Sequence, residues 1–448
     1  MDVRQPGSAA VAGPDVVREY VRLGLRFGRL VDGFVDAYTG DPALAREVDD
    51  EPAPDAAGLA ARAQELVRAL PDAGLPEPRQ SFLRSHLSAL AVAGRRLAGD
   101  ELSFVDEVEA YFDVRIEPTD PDVYAAAHDR LGELLGGSRT VAERMARFRA
   151  AEACPPDQVE RAVRAVAAAL RPEVVRRAGL PDGEHVDFEI ERDVAWSGFN
   201  YYGGDYRSRV AVNADVGHRM SGFPVLVAHE CYPGHHTEHC RKELLLVRGD
   251  DQQEQTVFLV NTPQCVMAEG LGDLALAAAV GPGWGRWAAQ VLDGIGPRFD
   301  ADLVEELEVA ARPLNSVRQD AAILLHDRGA DPNDVLEYLQ RWGLVDERRA
   351  RQQLRFATDP LWRAYTSTYV EGERLLRPWL EARPAGQDRF DRFRRLLDEP
   401  LTPEVIRQEL DAAGAGTIGT APTVATAGGA GSVAAAGPVT PGSDGPPG

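Results

Sequence analysis

The sequence predicts a mainly α-helical protein that carries a small β element. Three observations lead there. Apolar residues recur three and four apart through residues 15–172, as in VVREYVRLGLRFGRLVDGFVDAY and PDQVERAVRAVAAALRP, the spacing that gathers them on one helix face. Strict alternation, the period of a half-buried strand, is confined to VDFEIERDVAW (186–196) and SRVAVNADV (208–216). The helical pattern then returns and runs to about residue 410.

Taken in order, residues 1–14 show no period and are expected to be disordered. Residues 15–172 form an N-terminal helical region, broken at DDEPAP (49–54) and PTDP (118–121) by turn-forming residues. Residues 173–411 form a second region. It opens on the two alternating segments, read as strands joined by a long loop, SGFNYYGGDY, into a small hairpin or sheet. Helices are expected in FPVLVAHEC, TVFLVNTPQCVMAEGLGDLALAAAV, PNDVLEYLQRWG and LWRAYTSTYVEGERLLRPWLEA. Residues 412–448 hold one charge, Asp444, and no aromatic residue. Such a segment cannot build a core and is expected to be a disordered tail.

Composition narrows the function. With 49 basic and 71 acidic residues the net charge is −22, which repels nucleic acid and anionic lipid, so neither is expected as a partner. The single lysine is Lys242. There is no lysine-bearing phosphate loop, and Schiff-base chemistry would rest on that one side chain. The arginine bias points to a GC-rich bacterial genome. Four cysteines (Cys154, Cys231, Cys240, Cys265) with no C-x-x-C pair make neither a disulfide framework nor a thiolate zinc site the first expectation. The N-terminus lacks the apolar core of a signal peptide, and no stretch approaches a membrane span, so the expected compartment is the cytoplasm.

Four of the nine histidines fall within HECYPGHHTEH, residues 229–239. The familiar zinc-peptidase spacing is His-Glu-x-x-His on one helix face. Here the position of the second histidine is Pro233, and the next histidines are His235 and His236. On a straight helix His229 and His236 would share a face about 10.5 Å apart, and His235 would lie about 9 Å away and off that face. Proline cannot continue the hydrogen-bond ladder and disfavours helix at the residue before it, and Gly234 opens further backbone conformations. The chain must therefore break between His229 and His235, which brings His235 back towards His229. His236 stays open as the alternative ligand. His239 reads as solvated.

Residues 229–236 resemble the H-E-x-x-P-G-H signature of the bacterial family called domain of unknown function 885, which is similar in fold to the carboxypeptidase Taq family of zinc peptidases. Other segments match in order. The family's E-G-W-A corresponds to Glu269-Gly270-Leu271-Gly272, its Arg followed eight residues later by His to Arg318 and His326, and its terminal Arg-Tyr, Pro and Y-x-x-G to Arg355-Phe356, Pro360 and Tyr369-Val370-Glu371-Gly372. The likeness covers about residues 190–375. Leu271 stands for Trp, Glu238 for Gln, and LWRAYTST for P-G-Q-A, so the substrate pocket is expected to differ.

The resemblance implies a multi-helical zinc-peptidase-like fold with the β element at the active-site cleft. It favours His235 directly after Pro-Gly and implies Glu269 as third metal ligand beside His229 and His235. Three N/O ligands leave zinc an open position. Two His and one Glu would also accept other divalent ions. Glu230 is the expected general base, Tyr369 and His326 the expected oxyanion donors, and Arg318 the expected holder of a substrate carboxylate. Asp273 is a candidate to orient a ligand histidine. Arg207, Arg209 and Asn213 lie on a strand that could pair with an extended peptide. The reading is a metallohydrolase with one zinc per chain, acting on a peptide or small amide, with a carboxypeptidase as the narrower form. A metal- or peptide-binding protein without turnover, and a hydrolase of a non-peptide amide or ester, are the rivals.

Overall fold

The computed structural model describes residues 13–192 and 198–414. Helices dominate it. The first region holds α1 (Gly13–Leu30), α2 (Pro42–Asp49), α3 (Ala56–Ala69), α4 (Glu77–Leu97), α5 (Phe104–Phe112), α6 (Pro121–Leu135), α7 (Val141–Ala151) and α8 (Val159–Ala178). Their starts follow local chemistry. Asp41, Asp55, Ser103, Asp120 and Thr140 each accept a hydrogen bond from a first-turn N–H, filling donors that the helix itself leaves unpaired. The expected turns at 49–54 and 118–121 lie between helices. The segments expected to be disordered, 1–14 and 412–448, fall mostly outside the described residues.

Two small sheets interrupt the helices. β1 (Val35–Tyr38) pairs antiparallel with β5 (Val257–Leu259). β2 (His185–Glu191), β3 (Gly198–Gly204) and β4 (Arg207–Asn213) form a sheet in the order β2-β4-β3. This corrects four sequence expectations. Within SGFNYYGGDY, residues 198–204 are not a loop: Phe199, Tyr201 and Tyr202 suit a strand, and β3 makes the hairpin with β4 through Asp205 and Tyr206, both at positive φ. The two expected strands, β2 and β4, therefore pair in parallel. Because β4 is central, Arg207, Arg209 and Asn213 do not lie on a free edge. Finally, the helix expected across 16–38 ends at Leu30. Gly33 turns at φ 78°, and VDAY continues as β1.

The remaining helices are α9 (Phe223–Glu230), α10 (His235–Lys242), α11 (Pro263–Ala279), α12 (Trp284–Val291), α13 (Ala301–Ala311), α14 (Val317–His326), α15 (Pro332–Gly343), α16 (Glu347–Thr358), α17 (Thr366–Glu381), α18 (Arg389–Asp398) and α19 (Pro403–Ala412). One hydrophobic cluster runs from Val16 to Leu410 and draws on both regions. Helix α8 itself passes through Pro172. The boundary at 172/173 thus marks a change of sequence pattern, while the packing continues across it. Among the described residues no single helix is long and apolar enough to cross a membrane. The apolar α11 is buried along nearly its whole length inside the fold.

Helix α11 packs against α17 at its closest where two glycines face each other. A Cβ on Gly270 would lie 2.6 Å from the Gly372 backbone, and one on Gly372 would lie 2.5 Å from the Val266 carbonyl oxygen. These are backbone atoms, which cannot turn aside as a side chain can. Gly372→Ala should therefore destabilise the fold by about 1–3 kcal/mol or more, the usual cost of overpacking. Gly343→Ala, whose added carbon meets nothing closer than 3.7 Å, should be near neutral. Denaturant unfolding of the two variants checks the contrast.

Candidate functional site

Helix α9 stops at Glu230 and α10 starts at His235. Between them Tyr232–Pro233 is a cis peptide. Gly234 donates its N–H to the Ala228 carbonyl at 2.8 Å, and its Cα sits so close to the His229 carbonyl that a Cβ would lie 1.8 Å from that oxygen. Its φ is −74°, so glycine is needed here for close approach and not for a left-handed turn. The break folds His235 back onto His229, and the two rings stand 4.6 Å apart at 88°.

Helix α11 supplies the third member. One ligand atom each of His229, His235 and Glu269 lie within 4.8 Å of one another. His229 Nε2 is 3.2 Å from Glu269 Oε2, close to the roughly 3.4 Å that separates two tetrahedral ligands with ~2.1 Å bonds to zinc. Both atoms are buried and have no hydrogen-bond partner. Unpaired buried polar atoms are costly, and a cation between them would satisfy both. The residues present therefore fit a divalent ion. Behind His229, Asp273 Oδ1 lies 3.2 Å from Nδ1, where a carboxylate fixes the tautomer of a ligand histidine. Gly272 leaves room for this: a Cβ there would lie 2.6 Å from the His229 ring.

Charges follow from this crowding. Burial disfavours a protonated His229, but Asp273 and Glu269 outweigh it and raise its pKa well above the usual histidine value. Burial pushes Glu269 up, yet His229 and His235 and the hydrogen bond from Tyr365 hold it below the usual carboxylate range. Glu230 is raised, by burial first and then by Glu269 and Asp273, against the pull of His229 and His235. Its Oε1 has no partner. Asn200 on β3 donates to the Glu230 carbonyl at 2.7 Å, tying the sheet to the end of α9.

These groups border a cleft whose lining includes Glu230, His235, Glu269, Tyr365 and Tyr369, with Phe199, Phe258 and Trp362 as apolar walls. Tyr365 donates to Glu269 Oε1 at 2.6 Å, leaving Oε2 to face His229. Burial and then Glu269 raise the pKa of both tyrosines well above the usual value, so both hydroxyls remain donors. The Arg318 guanidinium lies 5.1 Å from the Tyr369 ring centroid. Arg318 makes no ion pair among the described residues.

Other expected residues lie elsewhere. His326, at the end of α14, donates from Nε2 to the Ala357 carbonyl at 2.7 Å and stacks on Phe104. It does not line the cleft with Tyr369, the other expected oxyanion donor. His236 is fully buried, with Nδ1 2.8 Å from Ser208 Oγ and Nε2 3.0 Å from Glu184 Oε1, so both nitrogens are committed. His239 is not solvated. It stacks on Tyr202 at 4.7 Å, lines the cleft, and is pushed down to about 4 by burial. All four cysteines are buried free thiols, and none joins the His229–His235–Glu269 group.

Asp36, Tyr365 and Asn200 line the cleft without any sign in the local sequence. Asp36 lies in a segment with helical periodicity. Tyr365 lies in the stretch where the family pattern departs.

No protein-family model matches the chain, and no curated protein matches it. Among solved structures it is similar to a candidate lipoprotein from Colwellia psychrerythraea, at 14% identity over 90% of this chain and 76% of that one, with a TM-score of 0.49. It is also similar to a candidate lipoprotein of unknown function from Shewanella oneidensis, at 14% identity over 82% and 75%, with a TM-score of 0.48.

The buried His236–Glu184 contact makes a distinct expectation. His236→Ala would leave Ser208 and Glu184 without their histidine partner, and should cost about 2–5 kcal/mol of stability. Thermal unfolding of the metal-free protein measures this apart from any metal effect.

Proposed function

We propose that the protein is a divalent-metal hydrolase, most simply a zinc peptidase, with His229, His235 and Glu269 as the metal ligands. One observation carries the reading: His229 Nε2 and Glu269 Oε2 are buried, 3.2 Å apart and without hydrogen-bond partners, and Glu230 presents its own unpartnered oxygen in the same cleft. A divalent ion held by the three residues would supply Lewis acidity, polarising a carbonyl and easing the ionisation of water.

The chain's own groups supply the rest. Glu230, with its carboxyl pKa raised by burial, is suited to take a proton from the attacking water and to return it to the leaving amine. Tyr369 has its hydroxyl held protonated and serves as donor to the developing oxyanion. Tyr365 holds Glu269 through Oε1 and so orients the carboxylate. Arg318 stands 5.1 Å from the Tyr369 ring centroid, behind the residues that line the cleft, and its guanidinium is the group on which a carboxypeptidase form of the reading would rest. The motif likeness to zinc peptidases points the same way.

Metal analysis of protein purified without a polyhistidine tag should give about one zinc per chain. His229→Ala and Glu269→Ala should abolish binding, and His326→Ala should leave it intact. Asp273→Asn should weaken affinity about 10–100-fold, as loss of a partner behind a ligand histidine does. A wild-type chain that takes up no zinc sinks the proposal.

Glu230→Gln should keep the zinc and lower kcat on a peptide substrate by about 10²–10⁴-fold, the usual worth of a general base. Arg318→Ala should act mainly on KM for substrates with a free carboxylate. Steady-state kinetics on a peptide and its carboxamide separate these effects.

A further inference from the structure

One carboxylate in the cleft has no part in the chemistry above. Asp36 lies on β1 at a β-bulge: Val35 pairs with Leu259 and Ala37 with Phe258, so Asp36 is the extra residue. Bulges re-aim side chains and recur beside active sites. Here the bulge turns Asp36 into the cleft wall with Glu230, His235 and Glu269. It stands outside the group of metal-ligating atoms. Among the described residues it has neither a hydrogen bond nor an ion pair, and no arginine or lysine lines the cleft.

The surroundings are those of a cation site. Phe199, Phe258 and Trp362 wall the same cleft, and aromatic faces attract ammonium groups. Three carboxylates, Asp36, Glu230 and Glu269, face it. A divalent ion would offset two of them, leaving one negative charge in a partly desolvated space. Such a charge is expensive unless paired.

We infer that Asp36 receives an ammonium group of the substrate, which makes the cleft selective for peptides that carry a free amino group beside the scissile bond. The inference rests on the peptidase reading and names the end of the substrate that the cleft holds. Two sources share this chemistry: the α-amino end of a short peptide, and a lysine side chain.

Binding separates them without requiring turnover. Calorimetry on the zinc-loaded full chain would compare leucinamide, N-acetyl-leucinamide and Nα-acetyl-lysinamide, with metal content measured in parallel. The α-amino source predicts leucinamide tighter than its acetylated form by at least about tenfold, the lower range for a desolvated charge pair. The lysine source predicts that acetyl-lysinamide exceeds acetyl-leucinamide by a similar factor. Either preference should collapse in Asp36→Asn, a near-isosteric change, with zinc unchanged. Equal binding of all three by the wild type overturns the inference whether or not the variant folds. So does a preference that survives in Asp36→Asn. Loss of a metal ion in Asp36→Asn would make Asp36 a ligand and also overturn it. If no peptide is cleaved but the binding preference holds, the hydrolase reading fails and the ammonium site stands.

Discussion

Two helices touch backbone to backbone, and the cleft exists because they do. At Gly270 and Gly372 neither α11 nor α17 has room for a single side-chain carbon. Glu269 is the residue beside that contact on α11, and Tyr369 sits one turn before it on α17. The close crossing carries the glutamate and the tyrosines Tyr365 and Tyr369 to one point. A third glycine, Gly272, lets the His229 ring lie against α11. In each place a missing side chain fixes where a reactive one can stand.

The cleft concentrates charge that an apolar core would ordinarily exclude. His229, Glu230, Glu269 and Asp273 are all buried, and several of their polar atoms are unpaired. Two buried carboxylates nearby are met by several partners or by a close ion pair. Glu184 is met by His236, Tyr232 and Arg171, and Glu238 by Lys242 at 2.6 Å. His229, Glu230, Glu269 and Asp273 leave unpaired buried atoms close together, and each such atom is costly to the fold.

The two adjacent histidines show how the break is held. His235 faces the cleft. The next residue, His236, is turned away from the cleft and clamped between Ser208 on β4 and Glu184 before β2. This anchors the start of α10 to the sheet, and Asn200 anchors the end of α9 to β3. The sheet therefore acts on both sides of the Pro233–Gly234 break, fixing the angle between His229 and His235.

The helical architecture, the break at Pro233 and the pairing of His229 with His235 were legible in the sequence because their causes are local. Helical period, a proline without an N–H and a glycine act within a few residues, so a short window contains the whole cause. Glu269 was legible only through the likeness of motifs, and the same likeness pointed to His326, which the tertiary structure turns away to the Ala357 carbonyl. The helical spacing of residues 16–38 hid β1, because a strand of four residues is too short to impose its own period against the helix before it. What only the tertiary structure decided is which distant groups share the cleft. Asp36 meets His235 across some two hundred residues of chain, and Tyr365 meets Glu269 across 96. Those meetings depend on strand pairing and helix crossing, and no local pattern records them.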